Sequence, residues 1–211
     1  MGRFTKGILG GFSGKIGNVI GGSWKGIDYM RSLSDRRKRE PTEKQIIQRA
    51  RFAYAVNFLQ PLHQLIRQGY RNQANRKSPI NAALAHVLKK VIEGDYPSYQ
   101  INYAKLEIAK GLLTIPNTHQ VQINADQIEF SWTDSAVTLE DHGDNHALLL
   151  AIGEGLYPAC SINEFKRSDQ SGTLALPPGP ANTAVHCYLA FAHESEATVS
   201  NSHYLGSVTL T

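Results

Sequence analysis

Two hydrophobic periods divide most of the chain. From Pro41 to Gly94 apolar side chains recur every three or four residues, and from Tyr99 onward they alternate with polar ones. In the first stretch Ile47, Ala50, Tyr54, Phe58, Leu62 and Leu65 mark one face of a helix. Thr42 and Gln45 have the spacing of a capping box at its start. Pro61 lacks a backbone donor and predicts a kink near Gln60, with Gly69 as the stop. Ser78-Pro79 caps and opens a second helix with the stripe Ile80, Leu84, Val87, Leu88 and Val91, ended by Gly94. In the second stretch Tyr99, Ile101 and Tyr103 alternate, then Ile128, Phe130 and Trp132, then Val185, Cys187, Leu189 and Phe191. Leu148, Leu150 and Ile152 read as a more buried strand, and 134–145, 177–182 and 194–196 read as loops. About seven short strands at this density predict an antiparallel β-sandwich.

Residues 7–33 fit neither period. Glycines separate single β-formers there: Ile16, Val19, Ile20, Trp24, Ile27, Tyr29 and Met30. Gly21-Gly22 reads as a turn joining 14–20 to 23–31 in a hairpin. An isolated hairpin is marginal in water, so this one is expected to pair its edges elsewhere, on another chain or back on its own domain. A phosphate loop is excluded, because Leu9 stands at its first glycine position and Ile16 at its hydroxyl position. The expected architecture is α+β: a Gly-rich β-hairpin arm and two amphipathic helices in 1–97, then an antiparallel sandwich in 98–211.

Charge sharpens that division. Residues 1–110 hold 20 Lys+Arg and 7 Asp+Glu, a net +13, whereas 111–211 hold 2 and 11, a net −9. Two differently solvated surfaces would give this pattern. So would a dipolar subunit whose basic front meets the acidic back of the next copy, in a ring or an open filament. The densest run, Arg36-Arg37-Lys38-Arg39, reads as a solvated linker, a phosphate contact or a dock for an acidic neighbour.

Little chemistry is encoded. Cys160 and Cys187 read as two buried thiols, with no spacing for zinc or redox work. Asp141, His142, Asp144 and His146 share one polar loop whose glycine and asparagine argue against a metal site. No nucleophile elbow or other catalytic motif occurs, so neither an enzyme, a cofactor nor a small-molecule substrate is expected. No apolar run reaches the roughly 20 residues of a membrane span, and 7–20 is too polar for a secretory leader, which points to the cytoplasm at synthesis.

The segments GGFSGKIGNVIGGSWKGIDYMRSL and PTEKQIIQRARFAYAVNFLQPL resemble an uncharacterised family of Bacteroidota proteins, a domain of unknown function. A looser version, glycine-rich hairpin, arginine and TPxQxxQRxxF helix, resembles proteins encoded near prophage-like genes. That likeness implies a structural particle component, a filament, tube or phage-like body. IEFSWTD, AVHCYLAFA and SNSHYLGSVTLT look like a fibronectin type III or Ig-like domain, which carries no chemistry with it.

The function expected is therefore a self-assembling structural subunit whose partners are other copies of itself. Gly14, Gly17, Gly21, Gly22 and Gly26 would let backbones approach closely, and Ile16, Val19, Ile20 and Trp24 would bury area. Arg31, Arg36, Arg37, Lys38 and Arg39 would meet acidic loops carrying Asp141 and Asp144. Two rivals stand beside it. A nucleic-acid-binding module would use Arg36 to Arg39 and the basic stretch 71–77, and a carbohydrate-binding sandwich would need exposed aromatics at one end.

Overall fold

A computed structural model describes residues 3–4, 11–24, 26–34, 40–73, 77–116, 118–124, 127–135, 142–194 and 198–210. It is α+β, with helices and antiparallel strands, in two compact units, Met1–Thr42 and Glu43–Thr211. The boundary expected at 97 falls inside the second unit, because the helices there share a core with a sheet.

The first unit is a four-stranded antiparallel sheet in chain order: β1 (Arg3–Phe4), β2 (Phe12–Ile16), β3 (Val19–Trp24) and β4 (Ile27–Ser32). It has three consecutive antiparallel pairings instead of the single hairpin expected. Gly21-Gly22 is not a turn but lies inside β3, where Gly21 pairs with both Gly14 and Met30. The chain reverses instead at Gly17-Asn18, between paired Ile16 and Val19, and again just before Ile27. Gly17 has φ +56°, and a glycine first in a two-residue loop is the type II′ arrangement that suits the strand twist.

The second unit begins with α1 (Glu43–Leu59). Pro61 breaks it as expected: a 3₁₀ turn at Gln60–Leu62 leads into α2 (His63–Gly69). α3 (Pro79–His86) opens on Ser78, whose Oγ accepts from the Asn81 N–H at 3.2 Å. It does not run to Gly94. A π-turn at Val87–Val91 passes into β5 (Ile92–Glu93), which pairs with β6 (Gln100–Ile101), and Gly94, at φ +79°, begins the turn between them. Tyr103 therefore ends in a 3₁₀ turn, Tyr103–Lys105, instead of a strand.

Among the described residues seven strands follow: β7 (Thr118–Asn124), β8 (Gln127–Thr133), β9 (His146–Gly153), β10 (Ala159–Lys166), β11 (Ser171–Ala175), β12 (Ala184–Ala192) and β13 (His203–Thr209). They form two antiparallel sheets, ordered β11-β8-β7 and β10-β9-β12-β13. β8 obeys its sequence pattern, with Ile128, Phe130 and Trp132 buried between exposed neighbours. β9 and β12 are buried on both sides. Ala147, Leu149, Ala151, Val185, Cys187, Leu189 and Phe191 meet the β8 side chains, while Leu148, Leu150, Ile152, Tyr188, Ala190 and Ala192 meet the helices. Helices, four strands and three strands thus stack as layers around two cores.

The buried helical face matches the predicted stripe in part, with Leu62 and Leu65 at its centre. Ala55, Leu59, Leu62, Leu65 and Ile66 are buried, and Tyr54 and Phe58 lie half-buried at the edge of that core. Two arginines brace the unit from within. Arg51 Nη2 donates to the Leu88 and Ile92 carbonyls at 3.0 and 3.2 Å, at the end of the π-turn. Arg71 Nη2 donates to the carbonyls of His193 and, at 3.0 Å, Thr198, and partial burial lowers its pKa. Arg71 is therefore spoken for within the fold and is lost to the phosphate-binding stretch 71–77; residues 74–76 of that stretch lie outside the described residues.

The half-buried imidazoles give the unit a pH response. His186 stacks on Tyr103 at 4.1 Å, its Nδ1 lies 2.8 Å from the Tyr204 hydroxyl, and burial lowers its pKa. Burial also lowers that of His203, helped by His119 against it. With the folded values depressed, the unfolded chain binds protons first as pH falls, so stability is full above the ordinary histidine value near ~6.5 and declines below it. Melting temperature should fall between about pH 7.5 and 5.5, less steeply in His186→Gln. Circular dichroism melts at the two pH values check both.

Candidate functional site

The residues singled out from the sequence lie mainly in the first unit, where the sheet brings most of them together. In β3 and β4 the opposed pairs are Val19–Ser32, Ile20–Arg31, Gly21–Met30, Gly22–Tyr29, Ser23–Asp28 and Trp24–Ile27. Since neighbours along a strand alternate sides and opposed residues share one, Lys15, Ile20, Gly22, Trp24, Ile27, Tyr29 and Arg31 lie on one face. Ile16, Val19, Gly21 and Met30 lie on the other. Much of this apolar surface is open: Trp24 is 59% exposed, Ile27 70% and Met30 71%, and every residue of β4 is exposed. Among the described residues β4 pairs only with β3, so its outer edge carries no ladder.

The glycines act differently from the expectation. A Cβ on Gly21 would stand 2.2 Å from the Phe12 carbonyl oxygen and 2.6 Å from its ring, so Gly21 admits a strand of its own chain, and Gly14, at φ +103°, lies on that strand. Gly22 lies under the Tyr29 ring, whose hydroxyl would be 3.0 Å from an added Cβ. Gly17 and Gly26, with nothing within 4 Å of an added Cβ, sit at the turns. These five residues shape the sheet itself. Ile27, Tyr29 and Met30 are the additions to the apolar set; their alternation was visible, and only the misplaced turn hid which face each takes.

Arg36, Arg37, Lys38, Arg39 and Asp141 lie outside the described residues. Asp144 is exposed and already engaged: Lys166 Nζ donates to it at 2.8 Å, which holds the Asp144 carboxyl below and the Lys166 ammonium above their ordinary values. Among the described residues no group of three His, Cys, Asp or Glu side chains is placed to hold a metal ion. His142 Nδ1 and His146 Nδ1 are each buried without a hydrogen-bond partner. Cys187 is buried, but Cys160 is exposed, because β10 is the edge strand of its sheet. Partial burial and nearby Glu164 raise the Cys160 pKa, which disfavours a reactive thiolate. Among the described residues no helix is long and apolar enough to cross a membrane.

A second open surface lies on α1 of the other unit. Gln45, Gln48, Arg49 and Phe52 line a shallow hollow of about 350 Å³, with Phe52 half exposed.

No curated protein and no solved structure matches the chain. A family model does, across residues 11–206, so it takes in nearly all of the first sheet and the whole layered unit up to β13. The chain belongs to that family, the family of unknown function DUF6266.

Proposed function

We propose that the protein is a structural subunit that assembles with copies of itself through its N-terminal sheet. The observation that carries this reading is β4, an outer strand exposed along its whole length, with Ile27 and Tyr29 on one face and Met30 on the other. A bare edge flanked by apolar side chains is a template for pairing with another chain, and a chain that keeps one needs a partner or some protection against aggregation. The opposite net charges of the two halves favour a head-to-tail contact, which yields rings or filaments. The seven strands in facing sets of three and four support a fibronectin III or Ig-like sandwich as the body that such contacts would string together.

A nucleic-acid reading is favoured by one feature: Lys15 and Arg31 share a face with Trp24 and Tyr29, a combination of cation and stacking ring that suits single strands. Light scattering after size exclusion, followed by electron microscopy, tests self-assembly. The full-length chain should elute as a multimer, and the Ile27→Asp, Met30→Asp double variant, like deletion of residues 2–33, should elute as a monomer. A parent that is monomeric at every concentration, or a double variant that assembles unchanged, removes the proposal. Retention on single-stranded DNA that weakens steeply with salt would favour the alternative.

A further inference from the structure

A groove in the second unit has an aromatic wall and one carboxylate. Tyr54 and Phe58 of α1, Tyr103 of the 3₁₀ turn and Ile101 of β6 face Glu154 in the turn between β9 and β10. They enclose about 270 Å³, and Pro61 leads outward to a shelf formed by Tyr157 and Pro158. The rings are held by one another. Phe58 and Tyr103 meet at 66° with centroids 6.4 Å apart, and Tyr103 also stacks on His186. Tyr54 packs against Tyr99 at 5.8 Å, and Tyr99 is fixed by donating to the Ile47 carbonyl at 3.2 Å.

Among the described residues that line the groove, Glu154 is the charged one, with no lysine or arginine beside it. Among the described residues no lysine or arginine pairs with Glu154. Burial lowers the pKa of His186, which stacks on Tyr103, and so favours its neutral form. The field of Glu154 reaches both tyrosines: burial first and Glu154 second raise Tyr54, and the same pair of causes pushes Tyr103 up to about 12. Aromatic faces around a carboxylate attract an organic cation through ring quadrupole and ion pair together, more strongly where water is partly excluded. The adjoining shelf of proline and tyrosine suits the chain that flanks such a cation.

We propose that this groove receives an arginine or lysine side chain from a segment of a partner protein. The cation lies against Tyr54, Phe58 and Tyr103 and pairs with Glu154, while the flanking residues rest on Pro61, Tyr157 and Pro158. The site is independent of the N-terminal sheet and stands whether or not the protein self-assembles.

Calorimetric titration of the full-length chain with acetyl-Gly-Arg-Gly-amide tests it, with the citrulline peptide as an uncharged match of the same shape. Saturable binding of the arginine peptide, weaker for citrulline by about tenfold, is expected. Glu154→Gln lies in an exposed turn and should keep the parent melting temperature while losing most of that preference. Equal affinity for the two peptides, no saturable binding, or a preference untouched by Glu154→Gln would overturn the site. Tetramethylammonium serves as the free-cation arm: binding weaker than the arginine peptide supports a peptide ligand, and binding as tight or tighter overturns it.

Discussion

Arg167→Ala should destabilise the second unit by about 3–5 kcal/mol, the cost of breaking a buried ion pair from one side. The Arg167 side chain is fully buried between the two sheets' ends, and that of Asp134 is only 4% exposed. Arg167 Nε and Nη2 donate to the two Asp134 carboxylate oxygens at 2.7 and 2.8 Å, and Nη1 donates to the Thr114 carbonyl at 2.8 Å. The guanidinium also lies 4.8 Å from the centroid of the Phe191 ring, and the Arg167 carbonyl accepts from Trp132 Nε1 at 2.9 Å. Truncation leaves Asp134 as an unpaired carboxylate away from water, with a cavity beside it. Lysine should fail nearly as badly, because a single ammonium cannot hold the two oxygens and a carbonyl at once. Urea denaturation should show a lower midpoint with an unchanged slope. The Arg167→Met, Asp134→Leu double variant should recover much of the loss, since removing both charges removes the desolvation penalty. A single variant as stable as the parent would mean that the pair contributes nothing.

The second large effect is expected at Gly69→Ala. On propensity alone alanine should strengthen α2, by up to about 1 kcal/mol. Packing opposes it. An added Cβ would stand 2.1 Å from the Ile108 carbonyl oxygen and 2.9 Å from the Ala109 Cα, and both obstacles are backbone. The Lys110 N–H donates to the Gly69 carbonyl at 2.9 Å, so the 106–110 segment cannot retreat without losing that bond. Overpacking of this kind costs about 1–3 kcal/mol, which outweighs the helical gain. Thermal melts should show a lower Tm; a raised Tm would show that the segment moves aside freely.

Gly69 also shows what a local signal conveys. Its position as the last residue of α2 follows from the pattern, yet its indispensability comes from a segment some 40 residues further on, which no local window contains. The same contrast separates β8 from α1. One side of β8 is wet, so its alternation survives in the letters, whereas Tyr54 and Phe58 are amphipathic rings that mark the edge of a core as readily as its middle. Gly21-Gly22 misleads because a glycine pair suits a turn and a crowded strand equally, and only Phe12, packed across Gly21, decides. Arg51 and Arg71 count toward the basic half in composition but serve as internal braces. Of the proposed interface, Ile16, Val19, Ile20, Trp24 and Arg31 do gather on one small sheet, since alternation and turn spacing are local properties. The groove at Glu154 was not legible, because it joins a helix, a 3₁₀ turn and a hairpin tip far apart in the chain.

β9 and β12, dry on both sides, tie the layered unit together in a way that constrains how it can diverge. Nearly every residue along them answers to either the helices or the far sheet, so neither strand has a side on which change is silent. Edge strands such as β7 and β10 each keep a side on which the polar positions of their alternation meet solvent. The middle pair can drift only by exchanging one nonpolar side chain for another of similar bulk, and the helical cap cannot be traded away without stranding half of it.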